Sequence, residues 1–222
     1  MNITVNTQNV NQSNNDLNIL EKQSNAVLQF NLEKRVAIGV AIWGIASFFL
    51  GYYRFFTHIP RLFFGVTVII ILTSLIIIYQ YNQTFKNFSN SIPLKAIALF
   101  HTWRIFAGWI FLSYSGMLSQ TFINCAAYGD IISGFLALAI FIFGHTKLNY
   151  YIFDVIGLLD FIIAVGAGIT LTITGDNQML PIVQLPLIMI PLFGVPLSGF
   201  THFISLNRLS KMKNKKLIEL VE

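Results

Sequence analysis

Five ionisable side chains fall inside the apolar runs of this 222-residue chain: His101, Arg104, Asp154, Asp160 and His202. A sixth, Asp130, opens another run in the sequence AAYGD. A charge at the centre of a bilayer costs at least ~2.5–3.5 kcal/mol on insertion scales, so charges placed there need partners or a task. His101 and Arg104 are three residues apart and share a helix face that continues through Gly108. Asp154 and Asp160 are six apart and point roughly 120° away from each other on a helix. One partner therefore does not serve both carboxylates. The spacing predicts an Arg104–Asp160 pair, with Asp154 left near His101 or at a water-filled mouth. Asp130 is expected apart from this group, near a helix N-terminus where the helix dipole favours a carboxylate.

Several chemistries suit such a set. An Arg–Asp pair with hydrogen-bonded histidines can hold helices in register without reacting. The same groups could bind or pass a small solute, ion or proton. His101 and His202, at matched depth on different helices, could instead ligate a haem b edge-on, with Arg104 or the basic interface receiving its propionates. Zinc held by His101, His202 and Asp154 lacks a supporting spacing motif. No phosphate loop, dinucleotide fingerprint, G-x-S-x-G or H-E-x-x-H occurs, so nothing points to an enzyme.

The elements that must carry these residues follow from composition. Hydrophobic residues make up 55% of the chain and charged ones 10%, against about 25% charged in ordinary soluble domains. No glutamate occurs between Glu33 and Glu219. Six windows approach the roughly 20 apolar residues of a membrane helix: 36–53, 62–81, 93–114, 125–144, 150–172 and 180–206. Short connections predict one all-α antiparallel bundle over 34–207. Cytoplasmic termini put Lys34, Arg35, Lys86, Lys95, Lys147 and the basic segment 208–222 on one side, leaving Arg54, Arg61 and Asp176 on the other. That basic segment follows an apolar run, so it marks topology and contact with anionic lipid rather than nucleic acid. Depths counted along the helices place His101, Arg104, Asp154, Asp160 and His202 in the cytoplasmic half.

In the last window Pro181, Pro186, Pro191 and Pro196 recur every five residues. Interior prolines free the carbonyls of Ile182, Leu187 and Leu192, and a membrane helix tolerates this only where neighbours, water or a cavity satisfy them. A kinked sixth helix, bordering a polar cavity open to the cytoplasm, is expected. On the fifth window Gly157, Asp160, Ala164 and Gly168 form a small-residue stripe that permits close helix approach. Residues 1–33 are polar and rich in Asn, Gln and Ser, which predicts an irregular tail with a short helix over 17–32. Cys125 is the only cysteine and is expected to pack; His58 and His145 are expected at the surface.

The order HTWR (101–104), AAYGD (126–130), GLLD (157–160), PLFGVP (191–196) and HFISLNRL (202–209) resembles a bacterial family of small uncharacterised membrane proteins. Its pattern runs H-x-x-R, G-x-G-D, G-x-x-D, P-x-F-x-V-P and a late histidine, with Ala127 here in place of the first glycine. The resemblance covers roughly 98–209. It implies a shared site at His101, Arg104, Asp130, Asp160 and His202 in a bacterial cytoplasmic membrane, without naming its chemistry.

Overall fold

Long apolar runs without strand-like alternation fold here as helices. The computed structural model describes residues 7–144 and 146–212, and among them no strand occurs. The chain divides into two compact units after residue 42, inside the first helix, α1 (Thr7–Tyr52). The helix starts well before the 17–32 segment expected from sequence. His145 and residues 213–222, with most of the basic tail, lie outside the described residues.

The rest of the bundle is α2 (Leu62–Tyr81), α3 (Gln83–Ser91), α4 (Leu94–Phe100), α5 (Arg104–Ser113), α6 (Gln120–Phe122), α7 (Tyr128–Phe143), α8 (Lys147–Ile173) and α9 (Val195–Lys211). A 3-10 turn, His101–Trp103, joins α4 to α5, and a π segment, Ile123–Ala127, joins α6 to α7. Five stretches are long and apolar enough to cross a membrane: Phe30–Tyr52, Leu62–Tyr81, Leu94–Ser113, Gln120–Phe143 and Lys147–Ile173. Ile70 on α2, Phe106 on α5 and Ile162 on α8 are 57%, 69% and 57% exposed. Such outward apolar surface suits lipid and would be a liability in water.

The sixth expected helix is not continuous. Its prolines divide it into a 3-10 stretch (Asn177–Val183), a non-helical turn, a π segment (Ile190–Gly194) and α9. Two of the freed carbonyls find donors. The Trp43 indole N–H donates to Leu192 O at 3.2 Å, and the Ile190 amide donates to Leu187 O at 3.0 Å. Broken backbone persists because these neighbours satisfy it.

The two ends of the bundle differ. At the end carrying Lys95, Lys147 and Arg208, a core of Leu94, Ile97, Ala98, Tyr150, Phe153 and Leu209 is closely packed. Arg208 donates to Ile92 O, Lys147 to Met212 O, and Asn207 to the Tyr79 hydroxyl. At the opposite end Arg61 donates to Asp176 O at 2.8 Å and to Asn177 Oδ1 at 3.2 Å.

Candidate functional site

Arg104 begins α5 where the 3-10 turn tightens the chain, and its guanidinium reaches two other helices. Nε donates to Asp130 Oδ1 on α7 at 2.7 Å, and Nη2 donates to Asp160 Oδ2 on α8. Ser133 Oγ lies 3.5 Å from the same Asp160 oxygen. All four residues are buried. Two carboxylates around one guanidinium bind three helices strongly, because removing any member strands a charge away from water. The Arg104–Asp160 pairing is as the spacing predicts. Asp130 is not. The fourth apolar helix begins at Gln120 rather than 125, so Asp130 lies ten residues inside it and pairs with Arg104 instead of capping a helix end.

The second cluster joins the third apolar helix, α8 and α9. His202 Nδ1 lies 2.8 Å from Asp154 Oδ1, and Ser205 donates to Asp154 Oδ2. A carboxylate partner accepts from Nδ1–H, which in a neutral imidazole would leave Nε2 as an acceptor. His101 stacks on His202 with ring centroids 3.8 Å apart and planes at 27°. Its Nε2 lies 3.0 Å from Thr201 Oγ1, whose single proton is directed at the carbonyls of Leu197 and Ser198. Thr201 thus accepts from His101 Nε2–H. Asp154 is fully buried and meets His202 directly, on whose ring His101 stacks.

Glycines make these approaches possible. A Cβ on Gly129 would collide with the Asp160 carboxylate, and one on Gly157 would collide with the His202 ring. Gly194 gives the same clearance to the Trp103 indole. The small-residue stripe on α8 therefore serves particular side chains: His202 beside Gly157 and Phe122 beside Gly168.

Between the clusters lies a cavity of about 60 Å³, where one water needs roughly 10–15 Å³ on that measure. Trp103, Arg104, Asp130, Ser198 and His202 line it. Trp103 Nε1 donates to Ser198 Oγ at 3.1 Å. Two of the lining side chains keep buried atoms without a partner among the described residues: Arg104 Nη1, and His202 Nε2, which packs against Gly157. Native structures rarely leave such groups unmatched, and each one calls for water, an ion or a ligand.

A haem does not fit the histidines. Axial ligation aims both imidazole nitrogens at one iron across the macrocycle, whereas these rings lie face to face, fully buried, with no space between. Among the described residues no three His, Cys, Asp or Glu side chains converge as a metal site requires. His58 is exposed, and Cys125 is a half-buried free thiol in the π segment. Ser205, Thr201 and Ser133 were not legible as site members. The only sequence signal for Ser205 is its place three residues after His202, on the same face of α9.

Comparisons with curated proteins and with solved structures return no match. Residues 59–210 match the profile of a domain of unknown function (DUF8737), a span that takes in α2 as well as the motif-bearing helices, and the chain belongs to that family.

Proposed function

We propose that this DUF8737 protein is an integral protein of a bacterial cytoplasmic membrane that binds or transports a small solute or ion at the cavity between its two polar clusters. The segment from Asn177 to Lys211 would form a sixth crossing, since it leaves the Arg61 end at Asp176 and reaches Lys147 at Met212. Lys86, Lys95, Lys147 and Lys211 at that second end support cytoplasmic termini by the positive-inside rule. What supports the proposal is that Arg104 and His202, each with a buried nitrogen left unmatched among the described residues, both line one cavity.

Asp154 holds His202 in one tautomer and can support a proton taken up at Nε2. His202 would then exchange a proton with the bound solute, while Arg104, flanked by Asp130 and Asp160, supplies a fixed donor. Thermal unfolding of purified protein against sodium, ammonium, chloride, acetate and small alcohols tests this. A bound solute raises the midpoint in proportion to the logarithm of its concentration above Kd. At least one of these solutes should do so in the wild type and lose the effect in His202→Gln. A midpoint that none of them moves contradicts the proposal.

A further inference from the structure

A second cavity, also about 60 Å³, lies at the Arg61 end between α2 and α8. At roughly 10–15 Å³ for one water, it holds about four to six water-sized units. Arg61 and Thr172 are the polar side chains in its wall, and the Thr172 hydroxyl donates to Gly168 O at 2.7 Å. The rest of the lining, with Leu62, Phe64, Val68 and Ile169, is apolar. Gly65 and Gly168 keep the space open. A Cβ on the first would press on Ile169 at 3.1 Å, and one on the second would meet the Phe122 ring at 3.4 Å. Leu62 is exposed and Gly65, Gly168 and Ile169 are half-buried, so the cavity borders the outward apolar surface of α2.

Arg61 stands at one end of this cavity with its charge uncancelled. Both its hydrogen bonds go to neutral oxygens, the Asp176 carbonyl and the Asn177 side-chain amide. Among the described residues no carboxylate comes within ion-pair distance of it. Asp176 instead turns its carboxylate to the Gln178 N–H at 2.8 Å. Arg61 also immediately precedes α2, whose N-terminal amides add positive potential at the same place. From Arg61 the lining continues along α2 to Val68, a depth of roughly 10 Å at the helical rise. A cation at the end of an apolar helix with an apolar slot beneath it matches the order in which a bilayer presents phosphate and acyl chain.

We propose that this slot binds an anionic phospholipid, with its phosphate at Arg61 and a stretch of one acyl chain in the cavity. The site is separate from the cavity beside Arg104 and stands whether or not that cavity takes a solute. A guanidinium has five N–H donors, so Arg61 can keep its bonds to Asp176 and Asn177 and still donate to a phosphate oxygen. A zwitterionic head would bring an ammonium beside Arg61 and the α2 N-terminus, and a net negative head does not. The second acyl chain also has a place, along the exposed Phe63, Val66 and Ile70 of α2.

The full chain in phosphatidylcholine vesicles, photolysed with a trace of phosphatidylglycerol carrying a diazirine on one acyl chain, tests this. Phosphatidylcholine with the same diazirine chain is the matched probe. Adducts of the first should map to slot residues such as Phe64, Val68 and Ile169 and exceed those of the second about tenfold. Unlabelled phosphatidylglycerol should suppress them. Arg61→Gln should bring the two probes level, whereas Arg61→Lys, which keeps the charge, should retain a preference. Gly168→Leu fills the cavity and should remove the slot adducts of both. The comparison of the two probes uses the unaltered chain, so it decides even where a variant does not accumulate. Equal labelling by both probes, or adducts confined to outward residues such as Ile69 and Ile70, overturns the proposal. Suppression by decanoate where unlabelled phosphatidylglycerol has no effect would give the slot to a free fatty acid, and overturns it too.

Discussion

The Arg104 cluster and the His202 cluster lie against one cavity, yet their hydrogen bonds close differently. Around Arg104, Asp130 and Asp160 accept from Nε and Nη2, so both carboxylates are served and, among the described residues, Nη1 is left spare. Around His202, Asp154 is served by the imidazole and Ser205, but among the described residues each stacked imidazole keeps one nitrogen without a partner: Nδ1 of His101 and Nε2 of His202. Charge compensation across three helices is what a structural clamp needs. An oriented imidazole with a free lone pair is what proton exchange or ligand recognition needs. The first cluster builds the room, and the second leaves a place in it.

Substitutions should separate the two roles by size. Arg104→Leu strands two buried carboxylates, and breaking a buried pair in this way costs about 3–5 kcal/mol. Denaturation in detergent should show that loss, and adding Asp130→Asn and Asp160→Asn should recover much of it. A triple variant no more stable than Arg104→Leu would mean that the carboxylates do not depend on the guanidinium.

The glycines come next. Gly129→Ala drives a methyl into Asp160 and Gly157→Ala drives one into His202, and overpacking of this kind costs about 1–3 kcal/mol. Gly166→Ala, with nothing within 4 Å of its Cβ, is the matched control and should be close to neutral. Equal effects at all three positions would show that helix propensity, not clearance for the site, governs them.

Smaller changes follow. His101→Phe keeps the stack on His202 and the contact with Phe153, and a shape-conserving exchange should cost less than about 1.5 kcal/mol. Ser133→Ala removes only a 3.5 Å contact, so it should fall at or below the roughly 0.5 kcal/mol of a weak hydrogen bond. A loss at Ser133 as large as that at Arg104 would place the hydroxyl inside the clamp rather than at its rim.

Sequence made the Arg104–Asp160 contact legible because charge is rare in apolar helices and the α8 stripe of small residues marks a close helix. It also marked the last apolar segment for kinking, since each interior proline removes a donor, but the structure interrupts that segment outright between Val183 and Ile190. It did not show that Trp43 would satisfy Leu192, because that partner is 149 residues away. Asp130 was misplaced for a local reason. The polar residues Gln120, Thr121 and Asn124 hide the true start of their helix, and the π segment 123–127 has no compositional signature. The stacking of His101 on His202 likewise depends on a 3-10 turn and on Gly157, neither of which matched depth alone implies. The haem alternative arose from that ambiguity: two histidines at equal depth can face each other across an iron or lie ring on ring.

Nitrogen-15 NMR of histidine-labelled protein in bilayers, with His202 assigned through His202→Gln, tests the central claim most directly. A ligand role for His202, whose ring lines the cavity, predicts a resonance that exchanges magnetisation with mobile water protons and shifts when a bound solute is added. Nδ1 should stay protonated and coupled to Asp154. An Nε2 resonance without water exchange and unmoved by solutes would contradict the claim and leave both clusters as packing.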